Sequence, residues 1–239
     1  MPKLTLEAVQ KAAKDAFLVW ASEQEPEGTW QYMCRVDPAQ GFPQQSVVHT
    51  AYSTALFAEI ALIVREADDS VVRVTYRGVP DAEQDQLLTL VTSKLADVTV
   101  ERREHGTLDF SLLAHRATDD VPHSIRLAFE SEMKPISGKG RDPDQLVHDL
   151  VKLALIDARF KFFIGRINGG RETVSGGEKR PKWDRLKPVI ESAMTFSGNR
   201  AEETVALILE TGQVTPWQCH LVRRDAGAAP SSRSFEVAD

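Results

Sequence analysis

Cysteine is nearly absent from this chain. The 239 residues hold only Cys34 and Cys219, far apart and without CxxC spacing, which excludes a disulfide framework and a paired-cysteine zinc site. Buried free thiols are expected at both positions. Long apolar runs are missing as well: none approaches the roughly 18 residues of a membrane-spanning helix, and the opening Met1-Pro2-Lys3-Leu4-Thr5 lacks the apolar stretch of a secretion signal. A cytoplasmic protein without membrane contact is the expectation. There is no Walker loop and no GxGxxG, Gly138-Lys139-Gly140 is too short to cradle a phosphate, and the six histidines follow no nucleophile motif. Nucleotide-binding enzymes and triad hydrolases lose their sequence support.

An apolar content of 42% is enough for a buried core, and the length fits one sizeable domain with extensions. The net charge of −6 disfavours nonspecific nucleic-acid binding, yet it conceals an asymmetry: Arg159 to Lys187 carries nine basic and three acidic residues, a local +6, so the remainder carries −12. A basic segment on an acidic body suits a phosphate-facing patch, and it equally suits a solvated loop and helix face.

Apolar spacing predicts helices over Thr5 to Glu23, Ser46 to Arg65, Asp81 to Ala96, a stretch starting near Asp142, and Pro181 to Met194. Glu59 is the one ionisable side chain in the apolar heart of the second helix, so it needs a cation or a rim position. Strands are expected over Val71 to Arg77, Val98 to Arg103, Leu108 to His115, Ile125 to Lys134, Phe160 to Ile167, Glu203 to Glu210 and Pro216 to Arg223, with a short one over Trp30 to Val36. Glu104 to Thr107, containing Gly106, reads as a hairpin joining two of them. From Asp225 onward a frayed tail is expected.

The chemistry concentrates between Ile125 and Ile167. Alternation in the central strand sends Leu127, Phe129 and Met133 to one face and Glu130, Glu132 and Lys134 to the other. Asp142-Pro143-Asp144-Gln145 then caps a helix, and a strand follows, so a parallel crossover is expected. On an exposed face the same charges would be mere cross-strand pairing.

Helix, strand, strand, strand, helix, strand over residues 81–167, with Asp109 on the second strand and Glu132-Met133-Lys134 on the third, resembles the PD-(D/E)XK nuclease superfamily. That resemblance covers roughly 90 residues and rests on a short motif. It implies an α/β fold, a restriction-endonuclease-like mixed sheet flanked by helices; residues 1–80 are expected as a mainly helical region packing on the core, 81–224 as the core with a C-terminal strand extension, and 225–239 as a flexible tail. It also implies Mg²⁺ or Mn²⁺ held by Asp109 and Glu132, with Lys134 serving the attacking water in hydrolysis of DNA. Glu130 completes Glu-x-Glu-x-Lys and could be the ligand instead, while Leu108 replaces the family's proline. Glu59, Glu83, Gln145, Asp149 and Lys152 are candidate additions from flanking helices, and Arg166, Arg171, Lys179, Arg180 and Lys182 are candidate DNA contacts. The alternative is a nuclease-like module for binding or assembly without catalysis, and either could act as a homodimer or with a protein partner.

Overall fold

The computed structural model describes residues 4–22, 43–77, 91–102, 108–114, 124–136, 144–168, 171–173, 177–196, 198–211 and 218–237. The chain runs α1 (Leu6–Ser22), α2 (Pro43–Ala67), β1 (Val71–Tyr76), β2 (Thr99–Arg102), β3 (Phe110–Ala114), β4 (Ser124–Ile136), α3 (Asp144–Leu155), β5 (Ala158–Asn168), β6 (Arg171–Thr173), β7 (Lys179–Pro181), α4 (Lys182–Thr195), β8 (Glu203–Thr211), β9 (Gln218–Asp225) and β10 (Ser231–Glu236). Eight strands form one mixed sheet in the order β10-β9-β8-β5-β4-β3-β1-β2, and β6 with β7 form a separate ribbon. The mixed α/β class is as expected. The short strand expected over Trp30 to Val36 lies outside the described residues, and no described helix is long and apolar enough to cross a membrane.

Strand alternation divides the core in two. Leu127, Phe129, Phe160, Phe162 and Ile164 pack with Phe57, Ile60 and Val9 from α2 and α1, whereas Ala128, Phe163 and Ile167 pack with Leu146 and Leu150 of α3 and Leu186 and Ile190 of α4. The buried positions of α3, Leu146, Leu150, Leu153 and Ala154, recur at the helical period, which is why this segment coils and docks on one stripe. On the other face Phe57 stacks on Phe110 at 4.4 Å and meets Phe129 edge-on at 5.4 Å, and Phe129 stacks on Phe162 at 5.3 Å. Such pairs add about 0.5–1.5 kcal/mol each beyond their burial. This ladder fixes β3, β4 and β5 beneath α2.

Three expectations about organisation are corrected. The segments expected to pair as a hairpin do not pair with each other: β1 lies between them, parallel to β2 through Arg73↔Thr99 and antiparallel to β3 through Tyr76↔Phe110. A Thr75–Ser111 hydroxyl contact of 2.6 Å seals that insertion. Among the described residues before 81, β1 is an inner strand and α2 covers β4, so the sheet draws on the segment expected as a helical extension. The expected flexible tail contains β10, which pairs with β9 from Ser231↔Arg223 to Glu236↔Gln218 and buries Phe235.

β4 and β5 are parallel and joined through α3, as expected. Their register runs evenly to Glu132↔Gly165 and resumes at Ile136↔Ile167, so β4 spends four residues where β5 spends two. Simple alternation therefore ends at Glu132. Across the sheet, His220 ties three strands: Nδ1 is 2.8 Å from Ser234 Oγ, Nε2 is 2.7 Å from Glu210 Oε2, and Trp183 stacks on the ring at 4.3 Å. Cys219 beside it is a buried free thiol, as expected, and Cys34 lies outside the described residues.

Candidate active site

Antiparallel pairing of Phe110 with Phe129 brings Asp109, the residue before β3, beside the stretch of β4 that carries Glu130. Asp109 Oδ2 accepts hydrogen bonds from the Ser131 backbone N–H at 2.8 Å and from its hydroxyl at 3.0 Å. Both donors converge on one oxygen, and this fixes the carboxylate at the strand end.

Glu130 is 3% exposed. Lys152, one turn after Asp149 on α3, reaches its Oε2 at 2.8 Å and stands 3.7 Å from Asp149 Oδ1. Glu130 Oε1 is buried with no hydrogen-bond partner. Burial, reinforced by the negative charge of Asp109, pushes the Glu130 carboxyl up to about 8, and Lys152 only partly offsets this. A buried carboxylate in water-poor surroundings costs several kcal/mol unless it is matched by positive charge. Among the described residues, Lys152 is the cation shared by Glu130 and Asp149.

Glu132 follows on the same face, partly exposed, opposite Gly165. A Cβ on Gly165 would come within 3.1 Å of Leu146 Cδ1, so the glycine lets α3 lie close to the sheet here. Lys134 is in the irregular part of β4, and its side chain lies outside the described residues. Of the helical candidates, Asp149 and Lys152 join the cluster. Glu59 does not: it pairs with Lys94 at 2.6 Å, as a buried carboxylate in an apolar helix requires. Glu83 and the side chain of Gln145 lie outside the described residues.

The basic segment divides. Arg166, expected to meet DNA, is 1% exposed, and burial lowers its guanidinium to about 10. On the even positions of β5 it falls with Phe162 and Ile164 on the face covered by α1 and α2, so it is an interior residue. Lys161, 0% exposed, donates to Ala154 O at 2.8 Å and Asn199 Oδ1 at 3.1 Å. Arg159 pairs with Glu202 at 2.9 Å. Lys179 is exposed and Lys182 partly so, while the side chains of Arg171 and Arg180 lie outside the described residues. Nothing in the local sequence distinguishes the buried cations from the exposed ones except their alternation with Phe and Ile in a run too apolar for an edge strand.

For a divalent cation the donors fit in kind: carboxylate oxygens, one of them buried and unpartnered, are what a hard ion takes. Among the described residues, however, no three His, Cys, Asp or Glu side chains stand close enough to ligate a common ion. Comparison with protein-family models, with curated proteins and with solved structures finds no match.

Proposed function

We propose that the chain is a metal-dependent nuclease hydrolysing phosphodiester bonds of DNA, with Asp109, Glu130 and Glu132 as the carboxylates and Lys134 as the lysine of its site. The observation that carries this reading is the buried Glu130 carboxyl, one oxygen on Lys152 and the other without a partner, beside Asp109. A divalent ion would supply positive charge to these carboxylates, and when bound it polarises phosphate and lowers the pKa of a coordinated water towards 7.

The chain's own residues have definable parts. Ser131 holds Asp109 Oδ2 through its backbone N–H and its hydroxyl. Lys152 holds Glu130 Oε2 and so orients Oε1, while α3 screens the pair from water. The basic ribbon supports a polyanionic substrate: β6 begins three residues after β5 ends, at the same end of the parallel pair as Glu132 and Lys134. Charge of both signs at one end of a sheet suits a phosphate backbone on the basic side and its scissile group on the acidic side.

The test is cleavage of plasmid and single-stranded DNA at low salt with Mg²⁺, Mn²⁺ or EDTA. Metal-dependent cutting is expected, with a loss of at least about 100-fold in Glu130→Gln and in Lys134→Ala, both still folded by circular dichroism. Cutting undiminished in both variants would remove the assignment. No cutting of any substrate by the unaltered protein would favour the noncatalytic module.

A further inference from the structure

At the opposite end of the sheet from the carboxylates lies a cavity of about 550 Å³, where β4 and β5 begin. Arg126 on β4, Arg159 on β5 and Arg200 before β8 line it, with Asp157 and Glu202. Arg126 is four residues from Glu130, about 13 Å along the strand, so the two sites lie towards opposite ends of β4. Its volume lies within the usual range for a small-molecule pocket.

The three guanidinium groups are not equally occupied. Asp68 stands 2.9 Å from Arg126 Nε and 3.6 Å from Arg159 Nη1, and Glu202 takes Arg159 Nε at 2.9 Å. Arg126 Nε is buried without a hydrogen bond, so Asp68 holds this arginine by charge. Arg200 is exposed and makes no hydrogen bond or ion pair among the described residues. Arg126 and Arg200, from different elements, both line the cavity, and guanidinium groups so placed suit the oxygens of a phosphate. Asp157 and Glu202 on the same wall accept from hydroxyl or amino groups.

We infer that this cavity binds a small phosphomonoester bearing hydroxyl or amino donors, of the size of a nucleoside monophosphate. Arg126 and Arg200 take the phosphate, and Asp157 and Glu202 take the donors of the uncharged part. Occupancy is independent of the carboxylate site and of whether the chain cuts DNA.

The probes are the four common nucleoside 5′-monophosphates, the matching nucleosides and inorganic phosphate, titrated into the full chain in EDTA at constant ionic strength by calorimetry and thermal shift. At least one monophosphate should bind saturably, tenfold or more tighter than its nucleoside and than phosphate. Arg200→Ala should weaken it at least tenfold while leaving the unliganded melting temperature unchanged, and Arg126→Gln should weaken it further. Absence of saturable binding overturns the proposal, as does affinity unchanged in Arg200→Ala. Phosphate binding as tightly as every monophosphate overturns the nucleotide-sized ligand. Because EDTA strips the carboxylate site, these failures are separable from failure of the nuclease reading.

Discussion

Two buried groups on the same face of the sheet titrate in opposite directions. Glu130 is pushed up to about 8 from an ordinary 4.5, chiefly by burial and then by Asp109. The native state thus holds a proton that the unfolded chain releases, so this contribution is complete below about pH 4.5 and disappears as pH rises to 8. Lys161 is lowered to about 8 from 10.5 by burial. Here the unfolded chain binds the proton more tightly, so stability is complete above pH 10.5 and disappears as pH falls to 8. Each swing is worth a few kcal/mol, at about 1.4 kcal/mol for each unit. In EDTA, denaturant unfolding should show a stability minimum near pH 8. Glu130→Gln should flatten the slope between pH 5 and 8, and Lys161→Met the slope between pH 8 and 10. A Glu130→Gln profile parallel to the parent's would show that this carboxyl is ionised at neutral pH. Adding Mn²⁺ to the unaltered protein should raise stability more above pH 8 than at pH 6, because the ion takes the ionised carboxylate and competes with the proton that Glu130 holds below about pH 8.

At the scale of elements, α3 and the sheet approach closely because Gly165 has no side chain. Adding a methyl there would put Cβ 2.7 Å from Phe163 Cε1 and 3.1 Å from Ile208 Cδ1 and Leu146 Cδ1. Gly165→Ala should destabilise by about 1–3 kcal/mol through overpacking and lift α3, with Lys152, away from Glu130. Chemical denaturation measures the first effect. The second would appear as a smaller pH 5–8 slope, since a solvated Glu130 loses its shift. Much of this architecture was legible beforehand: the 3.6-residue recurrence in Leu146, Leu150 and Leu153 and the two-residue alternation through Leu127 and Phe129 gave the right elements on the right faces. The order of strands was not. The short polar link around Gly106 favours a hairpin locally, but β1 offers Val74 and Tyr76 to β3 over a longer register, and non-local pairing overrode the turn. Sequence also could not rank Glu130 against Glu132. Their difference lies in burial under α3, which depends on the neighbouring Gly165 and on a register irregularity that no local pattern announces.

Over the whole molecule the basic stretch from Arg159 to Lys187 is two populations in one segment, and they should respond oppositely to charge reversal. Lys161 and Arg166 are interior, and a carboxylate in either place would be buried without a counter-charge, at a cost of several kcal/mol. Lys161→Glu should therefore abolish cooperative unfolding or soluble expression. Lys179 and Lys182 lie on or beside the β6–β7 ribbon, exposed or partly so, and Lys179→Glu with Lys182→Glu should leave the melting temperature within about 1 °C. Their effect should fall on DNA. Each phosphate contact adds about 0.9 to the slope of log affinity against log salt, so reversing two contacting charges should flatten that slope by about two and weaken binding most at low salt. Fluorescence anisotropy with a labelled duplex, in Ca²⁺ or EDTA to suppress cleavage, measures both quantities. A slope unchanged by the double reversal would remove the ribbon as the contacting surface, while leaving the carboxylate cluster to be judged on cleavage. A flattened slope with metal affinity unaltered would assign binding and chemistry to separate parts of one sheet end, the ribbon supplying attraction and β4 supplying the hydrolytic groups.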